Sequence, residues 1–240
     1  MFCIKCGTKL PDEARYCFHC GANLDTVSQN LSPNKTRYSQ VNSSSVNNNV
    51  ICYEREWGLV FKNKVKLTSN SFEFNGKCIP IPEIDKVQWG IMKVKRGGIP
   101  TNTDYCITVC SEKDTLFVSP EKKEIYFELT DKLWKAVAGQ IITKILISLK
   151  NGQDAGFGEK LQDRGIHYKK HNWFSNDVDR FYMWNEILLE HDNGDLVFLN
   201  SEDDVLARYS YLFAFNVPML EAIVNSAKKK RLVNLSDLLQ

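Results

Sequence analysis

Two pairs of cysteines near the start of the chain constrain its folding more than any other feature. Each pair has the spacing Cys-x-x-Cys, a glycine follows each pair, and ten residues separate the pairs. This spacing lets each pair chelate one ion from a tight turn, and four thiolates form a closed tetrahedral ligand set for zinc. The segment has too few apolar residues to fold by burial alone, so ligation would supply stability on the order of 10 kcal/mol. The predicted ligands of one structural Zn²⁺ are Cys3, Cys6, Cys17 and Cys20.

A redox dithiol or a disulfide pair is the alternative interpretation of these cysteines. Two glycine-flanked pairs favour zinc in a reducing compartment, and the first residues lack the apolar core of a secretory signal. The chain also has no apolar run of the roughly 18 residues needed to cross a bilayer, so we expect a cytoplasmic protein. Four protein ligands leave no position for a catalytic water. The four remaining cysteines are predicted to be small packing residues: Cys52, Cys78, Cys106 and Cys110.

The composition changes along the 240 residues, of which 43% are apolar and 25% are charged. Between Val27 and Val50, Ser, Asn and Gln supply fourteen of twenty-four residues without a helical or strand period, which predicts a flexible linker. The net charge of +2 is too small to favour nucleic acid or membrane by itself. The predicted division is a ribbon (1–24), a linker (25–50), a first unit (51–152), a second unit (153–232) and a C-terminal tail (233–240).

Short alternating segments after Trp57 predict an antiparallel sheet with an Asn75-Gly76 turn. The predicted strands are 65–67, 72–74, 79–81, 84–92, 104–111 and 115–118. A helix should close this first unit, with Ser119 as its cap and Pro120 in its first turn. Apolar residues at four-residue steps predict the buried face of that helix: Leu129, Leu133, Val137, Ile141, Ile145 and Leu149.

The same order recurs in the second unit. Strands are predicted at 165–168, 180–191 and 195–200, with an Asn193-Gly194 hairpin. Asn216 should cap a final helix that has Pro218 in its first turn. The predicted buried face of this helix consists of Val217, Leu220, Ile223, Val224 and Ala227. Because segment 67–74 resembles segment 161–168, we predict an internal duplication.

The cysteine-containing run from Phe2 to Leu24 resembles the bacterial zinc-ribbon family. The two later units resemble bacterial pleckstrin-homology-like (PH-like) domains, through the Ile81-Pro-Glu-Ile84 and Met183-Trp-Asn-Glu-Ile187 segments and the terminal amphipathic helices. The resemblance implies a small zinc ribbon followed by a mainly β, α+β part, in which each of two units is a bent antiparallel sheet closed by a C-terminal helix. It also implies a binding or scaffolding module, without naming one ligand.

A basic patch on the first unit is a candidate anion-binding site. Three lysines alternate along one predicted strand, and three further basic residues lie in a later strand and loop region. The patch consists of Lys62, Lys64, Lys66, Lys93, Lys95 and Arg96. The alternative is a solvated strand face whose lysines prevent edge-to-edge aggregation.

The second unit contains three histidines and many aromatic residues. His167 and His171 are four residues apart, about 13 Å on a strand, and His191 borders a hairpin, so we predict no catalytic pair. The sequence contains no nucleophile, phosphate-loop or dinucleotide motif, and we expect no enzyme. Trp173 and Phe174 lie among polar residues and form a candidate partner anchor.

These observations favour a non-enzymatic cytoplasmic adaptor or scaffold that binds proteins through the ribbon and the PH-like units. One alternative is a nucleic-acid-associated factor that contacts phosphates through the ribbon and the basic patch. The other is peripheral attachment to an anionic membrane through the same lysines.

Overall fold

The computed structural model describes residues 51–59, 61–96, 99–170 and 178–240. The predicted ribbon and linker lie outside these residues, as do the four predicted zinc ligands and the predicted anchor Trp173 and Phe174. The described part contains antiparallel sheets and two α-helices, which confirms a mainly β fold.

The first sheet has four antiparallel strands in sequence order. They are β1 (Ile51–Trp57), β2 (Asn63–Thr68), β3 (Ser71–Phe74) and β4 (Lys77–Pro80). Asn75 and Gly76 join β3 to β4 with positive φ angles of 49° and 80°, which confirms the predicted turn. The sequence did not predict β1, which turns Tyr53 and Trp57 into the core.

The second sheet has three strands and supplies the surface on which the first helix packs. Its strands are β5 (Lys86–Arg96), β6 (Ile99–Cys110) and β7 (Thr115–Val118). On β6, Ile107 and Val109 are fully buried, and Cys110 is buried as well. The predicted packing role is therefore correct for Cys110. It is wrong for Cys52 and Cys78, whose strands point them to solvent.

Helix α1 (Lys123–Lys150) carries the predicted buried face, because all six of its apolar residues at four-residue steps are buried. The predicted cap is wrong. The helix begins after Lys122, and no side chain caps it. Ser119 and Pro120 therefore lie in the loop before the helix.

The second half contains two three-stranded antiparallel sheets followed by a helix. Its elements are β8 (Leu161–Gln162), β9 (Gly165–Lys170), β10 (Val178–Met183), β11 (Leu188–Asp192), β12 (Asp195–Leu199), β13 (Val205–Ser210) and α2 (Val217–Lys230). The single strand predicted at 180–191 is two strands, β10 and β11, in different sheets. Trp184 and Ile187 lie in the turn between them and are both buried. One continuous strand would not allow both side chains to be buried in this way, because they would point to opposite faces of the sheet.

Asn216 has a different role from the predicted helix cap. It precedes α2 in the left-handed conformation, with φ of 59°, and its side chain makes no capping hydrogen bond. Instead its Oδ1 accepts a hydrogen bond from Val87 N at 2.9 Å, and its Nδ2 donates to Asp85 O at 3.1 Å. The buried face predicted for α2 is confirmed in full. The side chain of Asn216 therefore joins the second half to β5 rather than capping its own helix.

One hydrophobic core extends through both halves, from Tyr53 to Leu235. Residues predicted as a C-terminal tail contribute to it, because a 3-10 helix (Leu235–Leu239) contacts both α1 and α2. Asp163 holds this helix by accepting hydrogen bonds from Ser236 N and Ser236 Oγ, both at 2.7 Å. The division at residue 152 stays a prediction, and the two proposed units share their core.

Candidate ligand-binding groove

A groove of about 920 Å³ opens between the two halves of the described chain. One wall comes from β5 and α1 and includes Trp89, Phe127 and Trp134. The other comes from the turn between β11 and β12, from residues 210–213 and from the start of α2. The volume lies in the range of pockets that bind small ligands.

Gly90 on β5 sets how closely the second half approaches the first. A Cβ atom on Gly90 would lie 3.0–3.2 Å from Leu212, so only a residue without a side chain allows this packing without displacing Leu212. The Gln88 side chain donates a hydrogen bond to Leu212 O at the same place. Together with the hydrogen bonds of Asn216, these contacts join β5 to the second half beside the groove.

A buried carboxylate lies in the second wall. Glu221 is 4% exposed and is the only charged residue in the buried class among the residues that the structure describes. Its Oε2 accepts a hydrogen bond from the Tyr211 hydroxyl at 2.5 Å, and its Oε1 lies 3.1 Å from His191 Nε2. The rings of His191 and Tyr211 stack with centroids 6.1 Å apart. Two neighbouring side chains thus hold this carboxylate in one orientation.

Aromatic and apolar side chains cover much of the remaining lining. Trp89, Phe127 and Trp134 are half-buried, and Phe213 is 80% exposed. Tyr126 lies beneath Phe127, with the two rings edge to face at 5.1 Å, and burial raises the pKa of the Tyr126 hydroxyl. The groove therefore offers aromatic faces to an occupant beside a hydrogen-bonded carboxylate.

Two further carboxylates at the groove have basic partners. Asp131 pairs with Lys135 at 2.7 Å, and Asp195 pairs with Arg208 at 3.1 Å. Neither Lys135 nor Arg208 lines the groove. Within the described residues, the charged lining consists of Asp131, Asp195 and Glu221, with His191 as the one basic group.

The predicted basic patch is divided between two sheets. Lys64 on β2 pairs with Glu54 at 2.5 Å and Glu56 at 3.4 Å, and Lys66 lies opposite Glu54 in the strand register. The hydrogen bond with Lys64 lowers the pKa of Glu54 and raises that of Lys64. Lys62 is exposed and precedes β2. The other three basic residues lie on β5 of the second sheet: Lys93, Lys95 and Arg96.

His167 and His191 lie in different sheets, and His171 lies outside the described residues. His167 on β9 pairs with Asp179 on β10 at 2.5 Å, whereas His191 lies in the groove. Sequence reasoning missed Glu221 and Tyr211 as site residues. A signal was present, because Glu221 lies four residues after Val217 and three before Val224, on the predicted buried face of α2. A carboxylate at such a position indicates a specific partner.

Comparison with known proteins supports the N-terminal zinc site. A family model for the zinc-ribbon domain matches residues 2–24, which include all four cysteines of the predicted ligand set. Four thiolates with this spacing fit zinc, so the match indicates zinc binding by this segment. Searches of curated proteins and of solved structures give no match.

Two features are absent from the described residues. These residues contain no group of three or more His, Cys, Asp or Glu side chains placed to hold a metal ion. None of their helices is long and apolar enough to cross a membrane. The chain thus combines an N-terminal segment that matches a zinc-ribbon family model with a mainly β part that carries an aromatic groove.

Proposed function

We propose that the protein is a non-enzymatic cytoplasmic adaptor whose zinc ribbon and groove each bind a protein partner. The observation that carries this proposal is the groove, which presents half-buried tryptophans and the exposed Phe213 to an occupant. A few residues supply most of the binding energy of a protein interface, and tryptophan, tyrosine and arginine are enriched among them. One structural zinc ion held by Cys3, Cys6, Cys17 and Cys20 would stabilise the other contact surface.

The order of elements supports a second part of the proposal, that two PH-like units arose by duplication. In the first half a four-stranded sheet, a three-stranded sheet and α1 follow one another, and in the second half two three-stranded sheets precede α2. The Ile81–Ile84 and Trp184–Ile187 segments occupy the same place in this order, between the two sheets, and their terminal side chains are buried. The described second half has no counterpart of β1.

Affinity capture of the full chain from the lysate of its native host, with and without nuclease, tests the adaptor proposal. We expect a stoichiometric protein partner that survives nuclease and is lost with Trp134→Ala. The matched control is Phe117→Ala on β7, since Phe117 is 55% exposed and lies outside the groove lining. Equal recovery with Trp134→Ala and the native chain would show that the groove is not the binding surface.

The nucleic-acid and membrane alternatives rest on the basic patch. The ion pairs of Lys64 with Glu54 and Glu56 reduce the positive charge that β2 offers to phosphates. Loss of the captured partner on nuclease treatment, with a steep decrease of binding as salt rises, would favour nucleic acid. Sedimentation with anionic vesicles that depends on Lys62 and Lys66 would favour the membrane. The candidate anchor Trp173 and Phe174 is a further surface for mutation in the same capture experiment.

A further inference from the structure

We infer that the groove binds an extended segment of its protein partner, which adds a strand to the free edge of β5 and carries apolar side chains at alternate positions. The inference rests on the proposed function of the groove and adds the backbone conformation and the side-chain pattern of the bound segment. Three observations carry it: the direction of the backbone groups of β5, the place of this edge in the groove wall and the aromatic side chains that face an added strand.

The backbone groups of β5 point alternately toward β6 and away from it, as in any antiparallel pair. β5 lies at one end of its sheet, so the groups that point away face no further strand of that sheet. Val87 shows which residues these are, since its N–H donates to Asn216 Oδ1 at 2.9 Å and its C=O accepts from Asn216 N at 2.7 Å. The pairing with β6 has no register shift over residues 86–94, so the N–H and C=O groups of Trp89 and Ile91 point away from β6 as well.

The second half of the chain covers this edge at Val87 and not at the next outward positions. Within the described residues, the outward N–H and C=O groups of Trp89 and Ile91 have no hydrogen-bond partner. An uncovered edge is a template for pairing with another chain, and proteins normally protect such an edge. A strand placed beside Trp89 and Ile91 would satisfy these groups and continue the sheet.

The open part of the edge lies in the wall of the groove. Four consecutive residues of β5 line the groove, from Trp89 to Met92. Successive side chains of a strand point to opposite faces of the sheet, so a cavity on one face would be lined by every second residue. The continuous run therefore means that the groove meets β5 along its edge, where the outward backbone groups are.

One face of β5 is turned toward α1. Ile91 lies opposite Tyr105 on β6, and directly opposite residues of an antiparallel pair share a face of the sheet. The Tyr105 ring packs on Tyr126 of α1, with the ring centroids 5.2 Å apart. Ile91 and Trp89, which is two residues away, therefore face the helix. Two further aromatic residues of α1 line the same groove, Phe127 and Trp134.

This arrangement sets the side-chain pattern of the bound segment. Every second side chain of a strand added to β5 would share the face of Trp89 and Ile91 and point toward α1. Because aromatic side chains line that space, apolar residues at those positions gain free energy from burial, and β-branched ones suit the strand conformation. The intervening side chains would point to the other face of the sheet, away from α1.

The test uses the zinc-loaded full chain and the blocked peptide Ser-Val-Ser-Ile-Ser-Val-Ser, whose binding is followed by the fluorescence of the groove tryptophans. Two modified peptides carry N-methyl groups either on the three apolar residues or on the serines between them. Only alternate N–H groups of an added strand point to β5, so one modification should lower the affinity about tenfold or more and the other by about twofold or less. Equal losses with both modifications, or no saturable binding of the unmodified peptide, would overturn the inference.

Variants of β5 locate the binding edge on the protein. Ile91→Ala and Ile91→Pro both remove the isoleucine side chain, but only proline removes the outward N–H and fills its place, a change that an edge strand tolerates. The unmodified peptide should bind Ile91→Pro about tenfold or more weakly than Ile91→Ala, with similar unfolding midpoints. Met92→Pro is the control for direction, because it removes an N–H that points to β6 and should lower the midpoint. Equal affinity of the two Ile91 variants would contradict the inference, and the methylated peptides decide it if Ile91→Pro does not fold.

The outcomes separate this inference from the adaptor proposal. If both methylated peptides bind equally while Trp134→Ala abolishes partner capture, the groove binds protein and strand addition is wrong. If Trp134→Ala leaves partner capture intact, the proposed function of the groove fails, and the effect of alternate methylation would still establish strand addition at β5. A full chain that forms concentration-dependent dimers and binds no peptide would have a second copy at this edge, which would overturn the assignment to a partner segment.

Discussion

At the scale of single residues, Asn216 joins the two halves through its backbone and its side chain. Its backbone N–H donates to Val87 O at 2.7 Å, in addition to its side-chain hydrogen bonds with Val87 N and Asp85 O. It is also 8% exposed and has a positive φ, a conformation that asparagine tolerates better than most residues. The residue satisfies buried polar groups of β5 and turns the chain into α2.

Substitution of Asn216 by alanine and by glycine separates the contribution of its side-chain hydrogen bonds from that of its backbone conformation. Asn216→Ala should lower the free energy of unfolding by about 2–4 kcal/mol, because Val87 N and Asp85 O lose their side-chain partners and alanine is strained at positive φ. Asn216→Gly relieves the strain, so its loss should be smaller by about 1 kcal/mol. Denaturant unfolding of both variants measures the difference. Equal losses would show that the backbone conformation contributes nothing.

The surface pair of His167 and Asp179 in the second half should make the stability of the fold depend on pH. The hydrogen bond from His167 lowers the pKa of Asp179, with a smaller contribution from Lys169. A lowered pKa in the folded state means that the pair adds stability above the unfolded value of about 4 and loses it as the pH falls through the folded value. NMR titration should show the Asp179 pKa rising in His167→Gln. A pKa that does not move would leave Lys169 as the cause.

At the scale of elements, α1 determines the packing of the described chain. Its buried face contacts β1, β6, α2 and the C-terminal 3-10 helix. Phe127 and Trp134 on the same helix line the groove. The helix therefore links the core that stabilises the fold to the surface proposed to bind a partner.

Two substitutions on α1 compare a buried position with an exposed one. Leu133 is fully buried, so Leu133→Ala should lower the free energy of unfolding by about 2–5 kcal/mol through lost contacts and a cavity. Ile147 on the same helix is 47% exposed, and Ile147→Ala should change stability by about 0.5 kcal/mol. Thermal or denaturant unfolding measures both. Comparable effects at the two positions would contradict the burial of this helix.

At the scale of the whole molecule, the described chain should unfold as one cooperative unit, because a single core includes residues of both halves. The ribbon should behave separately. Its predicted stability comes from zinc ligation, and the sequence between residues 25 and 50 has few apolar residues with which to couple it to that core.

Removal of one zinc ligand tests this independence. Cys17→Ser should release zinc and unfold residues 1–24 while the unfolding midpoint of the remaining chain stays unchanged, since the ligand lies outside its core. Zinc content by metal analysis and unfolding followed by tryptophan fluorescence provide the two measurements. A joint decrease of the midpoint in Cys17→Ser would show that the ribbon and the rest unfold together.

Features that depend on near neighbours in the chain could be predicted from the sequence. The spacing of the four cysteines indicated the segment that the zinc-ribbon model matches. The four-residue period of α1, the buried face of α2 and the Asn75-Gly76 turn were likewise correct. Helical periodicity, turn chemistry and chelate spacing act within about ten residues, so the local sequence contains the required information.

Only the tertiary structure decided which distant groups meet. Asn216 contacts Val87 across 129 residues, and Glu221 contacts His191 across 30, although the sequence predicted a helix cap and no site. The acidic residues of β1 reduce the charge of the predicted basic patch, because strand register places Glu54 opposite Lys66. The side chain of Asn216 pairs with β5 rather than capping its own helix, because the polar backbone groups of a buried strand edge require hydrogen-bond partners. Such requirements arise only when the sheets and helices are assembled.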